Sequence, residues 1–161
     1  FNGSYAPPIT TERITVADLN SIKNNVRKIL ANHFGSISED ANGSFFIQNE
    51  SAVAFIGVDD WEHDGQNVGV IEVFAIVAMG LKEVNKDLAV ELSTDLSRRF
   101  GSWFFLKRDD GQYNLIFKTD LIGATVDPAE LINAVMLVAI VANEEDDKIV
   151  RKYGGQVFVN N

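Results

Sequence analysis

The residues best suited to chemistry are gathered in Asp59-Asp60-Trp61-Glu62-His63-Asp64-Gly65, which sets four carboxylates and an imidazole within seven positions. Hard cations take carboxylate oxygens and borderline ones add imidazole, so a divalent ion is the ligand to consider first. Asp60, Glu62, Asp64 and Gly65 even fall at the first, third, fifth and sixth positions of a calcium loop. The twelfth position, where that loop needs a bidentate glutamate, is Ile71, and both flanks have the pattern of strands rather than helices. The segment reads as a solvated hairpin loop, and no metal site is expected.

The remaining candidates have structural explanations. His33 falls in the last turn of a predicted helix, where a cation meets the helix dipole favourably. Ser93, Thr94, Ser97 and Ser102 are surface or capping hydroxyls, none in the strand-turn-helix elbow of a serine nucleophile. Asp109-Asp110 and Glu144-Glu145-Asp146-Asp147 are carboxylate runs, but carboxylates catalyse only where their surroundings separate their pKa values, and both runs read as solvated. Gly154-Gly155 follows a helix, whereas a phosphate cradle precedes one. With no cysteine there is no thiolate ligand or nucleophile. No catalytic residue, cofactor site or metal site is expected, and the chain reads as non-enzymatic.

The bulk properties narrow the partners. A formal net charge of −9 and a pI near 4.6 repel phosphate backbones and anionic lipid, which argues against nucleic acid and membranes. The apolar runs 68–81 and 131–142 fall short of the roughly 20 residues of a spanning helix. The absence of cysteine fits a reducing compartment, and cytoplasm is the expectation. Residues 1–13 have no signal-peptide pattern and read as a disordered lead-in.

The elements follow from periodicity and punctuation. Thr15-Val16-Ala17-Asp18 offers an N-cap, and Val16, Leu19, Ile22, Val26, Ile29, Leu30 and Phe34 recur at helical spacing before Gly35. Strands are predicted at 45–47, 52–58 and 68–79, separated by Gln48-Asn49-Glu50-Ser51 and by 59–67. The third is long enough for a helix, but its β-branched residues favour a strand. Asn85 caps a second helix in which Leu88, Leu92, Leu96, Arg99 and Phe100 share a face up to Gly101. Strands at 103–107 and 113–119 flank Arg108-Asp109-Asp110-Gly111-Gln112, a hairpin turn. Asp127-Pro128-Ala129-Glu130 starts a third helix that runs to about Tyr153, buried in its apolar first half and wet in its charged second half. The fold class is α+β in α-β-β-β-α-β-β-α order, with a five-stranded antiparallel sheet and helices packed on it, a single domain over 14–161.

One surplus asks for an explanation. Phe74, Ile76 and Ala78 alternate with Val73, Ala75 and Val77, and Trp103 and Phe105 with Phe104 and Leu106, so these strands are apolar on both faces. One face of an antiparallel sheet ordinarily meets water. If the helices cover one face, the other exposes a larger apolar patch than soluble monomers tolerate. Either the second helix crosses to that face, or a second copy, a client peptide or both cover it.

From about Ile14 to Gly155 the chain resembles the YbjN-type domains and class I type III secretion chaperones, above all their actinobacterial peptide-binding chaperone-like branch. The stretches that carry the likeness are Leu96-Ser97-Arg98-Arg99-Phe100-Gly101-Ser102-Trp103-Phe104, Asp120-Leu121-Ile122-Gly123-Ala124-Thr125 and Asp146-Asp147-Lys148-Ile149-Val150-Arg151-Lys152-Tyr153-Gly154-Gly155. The resemblance implies the same order of elements, an acidic homodimer and a protein or peptide client held in extended form, with no catalytic signature to transfer. Leu88, Leu92, Phe100, Trp103 and Phe105 are the candidate interaction surface. The alternative is a regulatory domain that senses a small apolar ligand in an enclosed pocket.

Overall fold

Asp18 starts the first helix: its carboxylate accepts a hydrogen bond from the Asn20 N–H at 3.1 Å, and helix α1, Leu19–Phe34, follows. The computed structural model describes residues 18–63, 66–95 and 100–158, with the side chains of His63 and Gln66 excepted. Thr15, the expected cap, lies outside the described residues. Gly35 ends the helix at φ 77°, its N–H donating to the Ala31 carbonyl, because glycine takes a positive φ without a Cβ penalty. Ile22, Val26, Ile29 and Leu30 form the buried stripe that the spacing predicts.

Six strands follow among the described residues: β1 Ser38–Glu39, β2 Phe45–Asn49, β3 Ala52–His63, β4 Gln66–Leu81, β5 Ser102–Lys107 and β6 Tyr113–Ile122. They form one antiparallel sheet in the order β1-β2-β3-β4-β6-β5. The sheet therefore has one strand more than the five expected. The extra strand, β1, is two exposed residues with no apolar alternation, held by Lys23 and Arg27 gripping Glu39 at 3.0 and 2.8 Å.

A second correction concerns 59–67, which is strand rather than loop. The ladder runs unbroken from Asp59↔Val70 to His63↔Gln66. Residues 59–62 are exposed although Val68 and Gly69 opposite them are buried, so acids fit there without breaking the pairing. The β5–β6 turn is as expected, with Gly111 at φ 83° and its N–H donating to the Arg108 carbonyl at 3.0 Å.

Helix α2, Lys86–Thr94, is capped by Asn85, whose side chain accepts from the N–H groups of Asp87 and Leu88. It stops at Thr94, short of Phe100. The Ser93 and Thr94 hydroxyls turn back to the Val90 carbonyl at 3.1 and 2.8 Å, competing with the helix backbone. Leu96 and Arg99 lie outside the described residues.

Helix α3, Pro128–Tyr153, has Asp127 as N-cap, with its carboxylate accepting from the Glu130 N–H at 2.8 Å. Leu131, Val135 and Val138 are fully buried and pack with Ile56, Ile71, Val73, Val77 and Phe117 of the sheet. The second half is not wholly wet: Asp146 is only 5% exposed. Its carboxylate is satisfied by the Ser51 hydroxyl at 2.8 Å and the Asp147 N–H, which ties the β2–β3 turn to α3.

All three helices lie on one face. Helix α1 sets Ile22 over Gly69 and Gly123, where a Cβ would find no room. Helix α2 lies beside β5, with Leu92 near Trp103 and Phe105, and is clasped to α3 by Glu91, which accepts from Lys152 Nζ at 2.7 Å and the Tyr153 hydroxyl at 2.6 Å.

Val135→Asp places a carboxylate at a fully buried position with no partner, at a cost comparable to the whole stability of a small domain, so the variant is expected to be insoluble on expression. Recovery of a soluble, normally stable protein would remove the buried-helix assignment. The clasp makes a milder prediction. Hydrogen bonds from Lys152 and then Tyr153 hold the Glu91 carboxyl below its ordinary value of 4.5. A depressed carboxylate stabilises above its unfolded pKa and loses that contribution as pH falls through the folded one. Melting temperature should therefore fall more steeply below pH 4.5 in the unmodified chain than in Glu91→Gln. Superimposable profiles would show that the clasp adds nothing.

Candidate functional site

With α1, α2 and α3 on one face, the other face is built from the opposite parity of each strand. Phe46, Phe55, Phe74 and Lys118 stand in register across β2, β3, β4 and β6. The Phe55 and Phe74 rings stack at 5.2 Å and 17°, with Phe46 tilted 6.4 Å from Phe55. Beside this row Ile116 pairs with Phe104 of β5. Phe104 is 48% exposed and Leu106 is 55% exposed. Toward the β3–β4 tip the face continues with Trp61 and Ile122, both exposed.

Lys118 stands in the middle of this apolar surface. Its ammonium lies 2.6 Å from Glu72 and 3.2 Å from Asp120, and 6.0 Å from the centre of the Phe104 ring. Partial burial is the largest single influence on it and would lower its pKa. The bonds to Glu72 and Asp120 together outweigh that and hold it above the ordinary lysine value, so it stays charged.

The sequence-predicted surface residues do not form one patch. Leu88 is 1% exposed and points into the core, not outward, because the cap at Asn85 turns this position toward Leu81. Leu92, Trp103 and Phe105 line a 430 Å³ trough between α2 and β5. Phe100 stands apart, 70% exposed, at the lip of a 520 Å³ trough formed with Thr119, Leu121, Ala134 and Leu137. Both troughs open to solvent. The row Phe46, Phe55, Phe74 is absent from the predicted set. The signal for it was a run of three successive strands that each carry phenylalanine, two in β2 and one each in β3 and β4, legible only once the register is known.

Among the described residues, no three His, Asp or Glu side chains are placed to hold an ion. None of the described helices is long and apolar enough to cross a membrane.

The sequence profile of the family described as T3SS (YopN, CesT) and YbjN peptide-binding chaperone 1 matches residues 20–161. The chain belongs to this family. No curated protein matches its sequence. Among solved structures, the peptide-binding chaperone fold is similar to that in the ExsC–ExsE complex, with a TM-score of 0.58 and 13% identity over 81% of this chain and 96% of the other. YbjN from E. coli gives 0.50 and 18%, over 78% and 91%. The Yersinia pestis type III secretion chaperone SycH, solved with a YscM2 fragment, gives 0.47 and 11%, over 79% and 98%.

Within this chaperone-family fold, Trp103 makes a testable exception to good packing. Its ring lies 4.8 Å from Phe117, yet its buried Nε1–H has no hydrogen-bond partner among the described residues. An unmade buried donor costs its desolvation, of the order of 1–3 kcal/mol. Trp103→Phe keeps an aromatic ring and removes the donor, so its melting temperature should match or exceed that of the unmodified chain. A clear drop would mean that the indole N–H is satisfied in solution.

Proposed function

We propose that this chain is a non-enzymatic chaperone or adaptor that holds an extended stretch of a client polypeptide against the uncovered face of its sheet. The observation that carries the reading is the one-sided packing. Three helices share one face, while the other presents the Phe46, Phe55, Phe74 row beside Phe104 and Leu106. An extended peptide suits such a surface, because alternate side chains reach apolar positions while edge strand β5 offers main-chain pairing. Family membership supports the same reading. The trough of Leu92, Trp103 and Phe105 and the exposed Phe100 open on the helix side and form a separate candidate surface, with Leu88 in the core beneath α2. A homodimer belongs to this proposal, since β5 is an edge that a second copy can also use. A cysteine-free chain suits the reducing cytoplasm, where we place it.

The test is a library of synthetic twelve-residue peptides screened against the unmodified chain, Phe74→Asp and Phe104→Asp, with light scattering on each protein. Peptides rich in apolar residues should be retained by the unmodified chain and weakened roughly thirtyfold by either charge, the size expected for a central aromatic contact. Retention that ignores both substitutions would place the client elsewhere. Scattering should give twice the 17.8 kDa chain mass.

A further inference from the structure

Helix α3 ends at Tyr153 on the covered side of the sheet, yet Phe158 lies on the opposite face, its ring edge-on to Phe55 at 5.4 Å and 83°. The path between them is specified step by step. Gly154 and Gly155 take φ of 87° and 85° and turn the chain out of the helix. A Cβ on Gly155 would sit 2.5 Å from the Met79 carbonyl oxygen, so only glycine passes this close to the sheet. Gln156 then exchanges both backbone hydrogen bonds with Met79, at 2.8 and 2.9 Å. Met79 lies past the part of β4 that pairs with β3, and the bridge is antiparallel, so Gln156 stands in line with β3 and heads toward its first residue, Ala52. The tail can continue only by leaving the plane of the sheet. It leaves toward the uncovered face, and Phe158 lands on the aromatic row.

We propose that Phe158 occupies, from within the chain, a seat for an aromatic side chain on Phe46, Phe55 and Phe74, and that a client enters by placing its own aromatic residue there and displacing residues 156–158. The proposal rests on the reading of the uncovered face as the client surface and adds the chemistry of the client and a competitor for it. The strap is built to yield: a two-bond bridge and a ring contact hold it, while the glycine turn fixes its direction. Because the free seat exists only in the fraction of molecules with the strap lifted, apparent client affinity falls by that fraction.

The probe is the fluorescein-labelled octapeptide of residues 154–161, beside the same peptide carrying Phe158→Ala, titrated by fluorescence polarisation into the full chain. Phe158→Ala empties the seat, and Gly155→Ala dislodges the strap without changing the Phe158 side chain. Both proteins should bind the phenylalanine peptide about tenfold more tightly than the unmodified chain, as for a strap closed about nine-tenths of the time. Neither should bind the alanine peptide. Equal affinities for the three proteins, or no binding by any, would overturn the strap. So would a mass of Phe158→Ala twice that of the unmodified protein by light scattering, which would give the seat to a further copy. Library peptides that still lose affinity with Phe74→Asp would leave the client face standing while the strap falls. Loss of that sensitivity would remove the client face itself.

Discussion

The contact on which the structure depends is the packing of α3 along β4. Helix α3 buries Leu131, Val135, Val138 and Val141 completely, and β4, inside the sheet with β3 and β6 on its flanks, buries Ile71, Val73, Ala75 and Val77 completely. Each fully buried Val, Leu or Ile contributes about 1.5–3 kcal/mol. The side chains of this one contact thus rival the net stability of a domain, about 5–15 kcal/mol. Helices α1 and α2 share the same side, α1 over the small residues Gly69 and Gly123 and α2 beside β5, which leaves the other face uncovered by helices.

Much of this was written in the chain. Asp127-Pro128 and Asn85 cap their helices as their side-chain chemistry requires, and Asp110-Gly111 makes the hairpin turn. The doubly apolar β4 announced that a face would be left over. What could not be read was geometric. Strand β1 is too short to carry a period, and the acids of 59–62 look like a loop because nothing local says that the β3–β4 ladder continues through them. Leu88 and Phe100 shared a predicted helical stripe. The side chains of Ser93 and Thr94 end the helix between them, so one sits in the core and the other in solvent.

The candidate site was the least legible part, for a physical reason. A strand alternates perfectly between faces, so Phe74 and Val73 are equally apolar and only the partner decides which is covered. Register aligns Phe46, Phe55 and Phe74, and register is a property of three strands together. The comparable ambiguity on β5 explains why Trp103 and Phe105 were grouped with the surface. They face the helix side, and it is Phe104 and Leu106 that look outward.

An uncovered apolar face invites aggregation, and the chain counters it from within. Lys118 stands between Phe74 and Phe104, ion-paired with Glu72 and Asp120, whose bonds outweigh the lowering of its pKa by burial. A charge pointing into a sheet face is tolerated by an occupant that bends around it or brings a partner for it, and not by another flat apolar sheet stacked at close range. Beyond Phe74 the row continues to Phe55 and Phe46, and Phe158 rests edge-on against Phe55, its middle ring. An ion-paired lysine at one end of the aromatic row and the Phe158 ring on its middle thus disfavour a broad sheet-on-sheet contact, and under the proposed reading they leave the row to a single extended segment once Phe158 lifts.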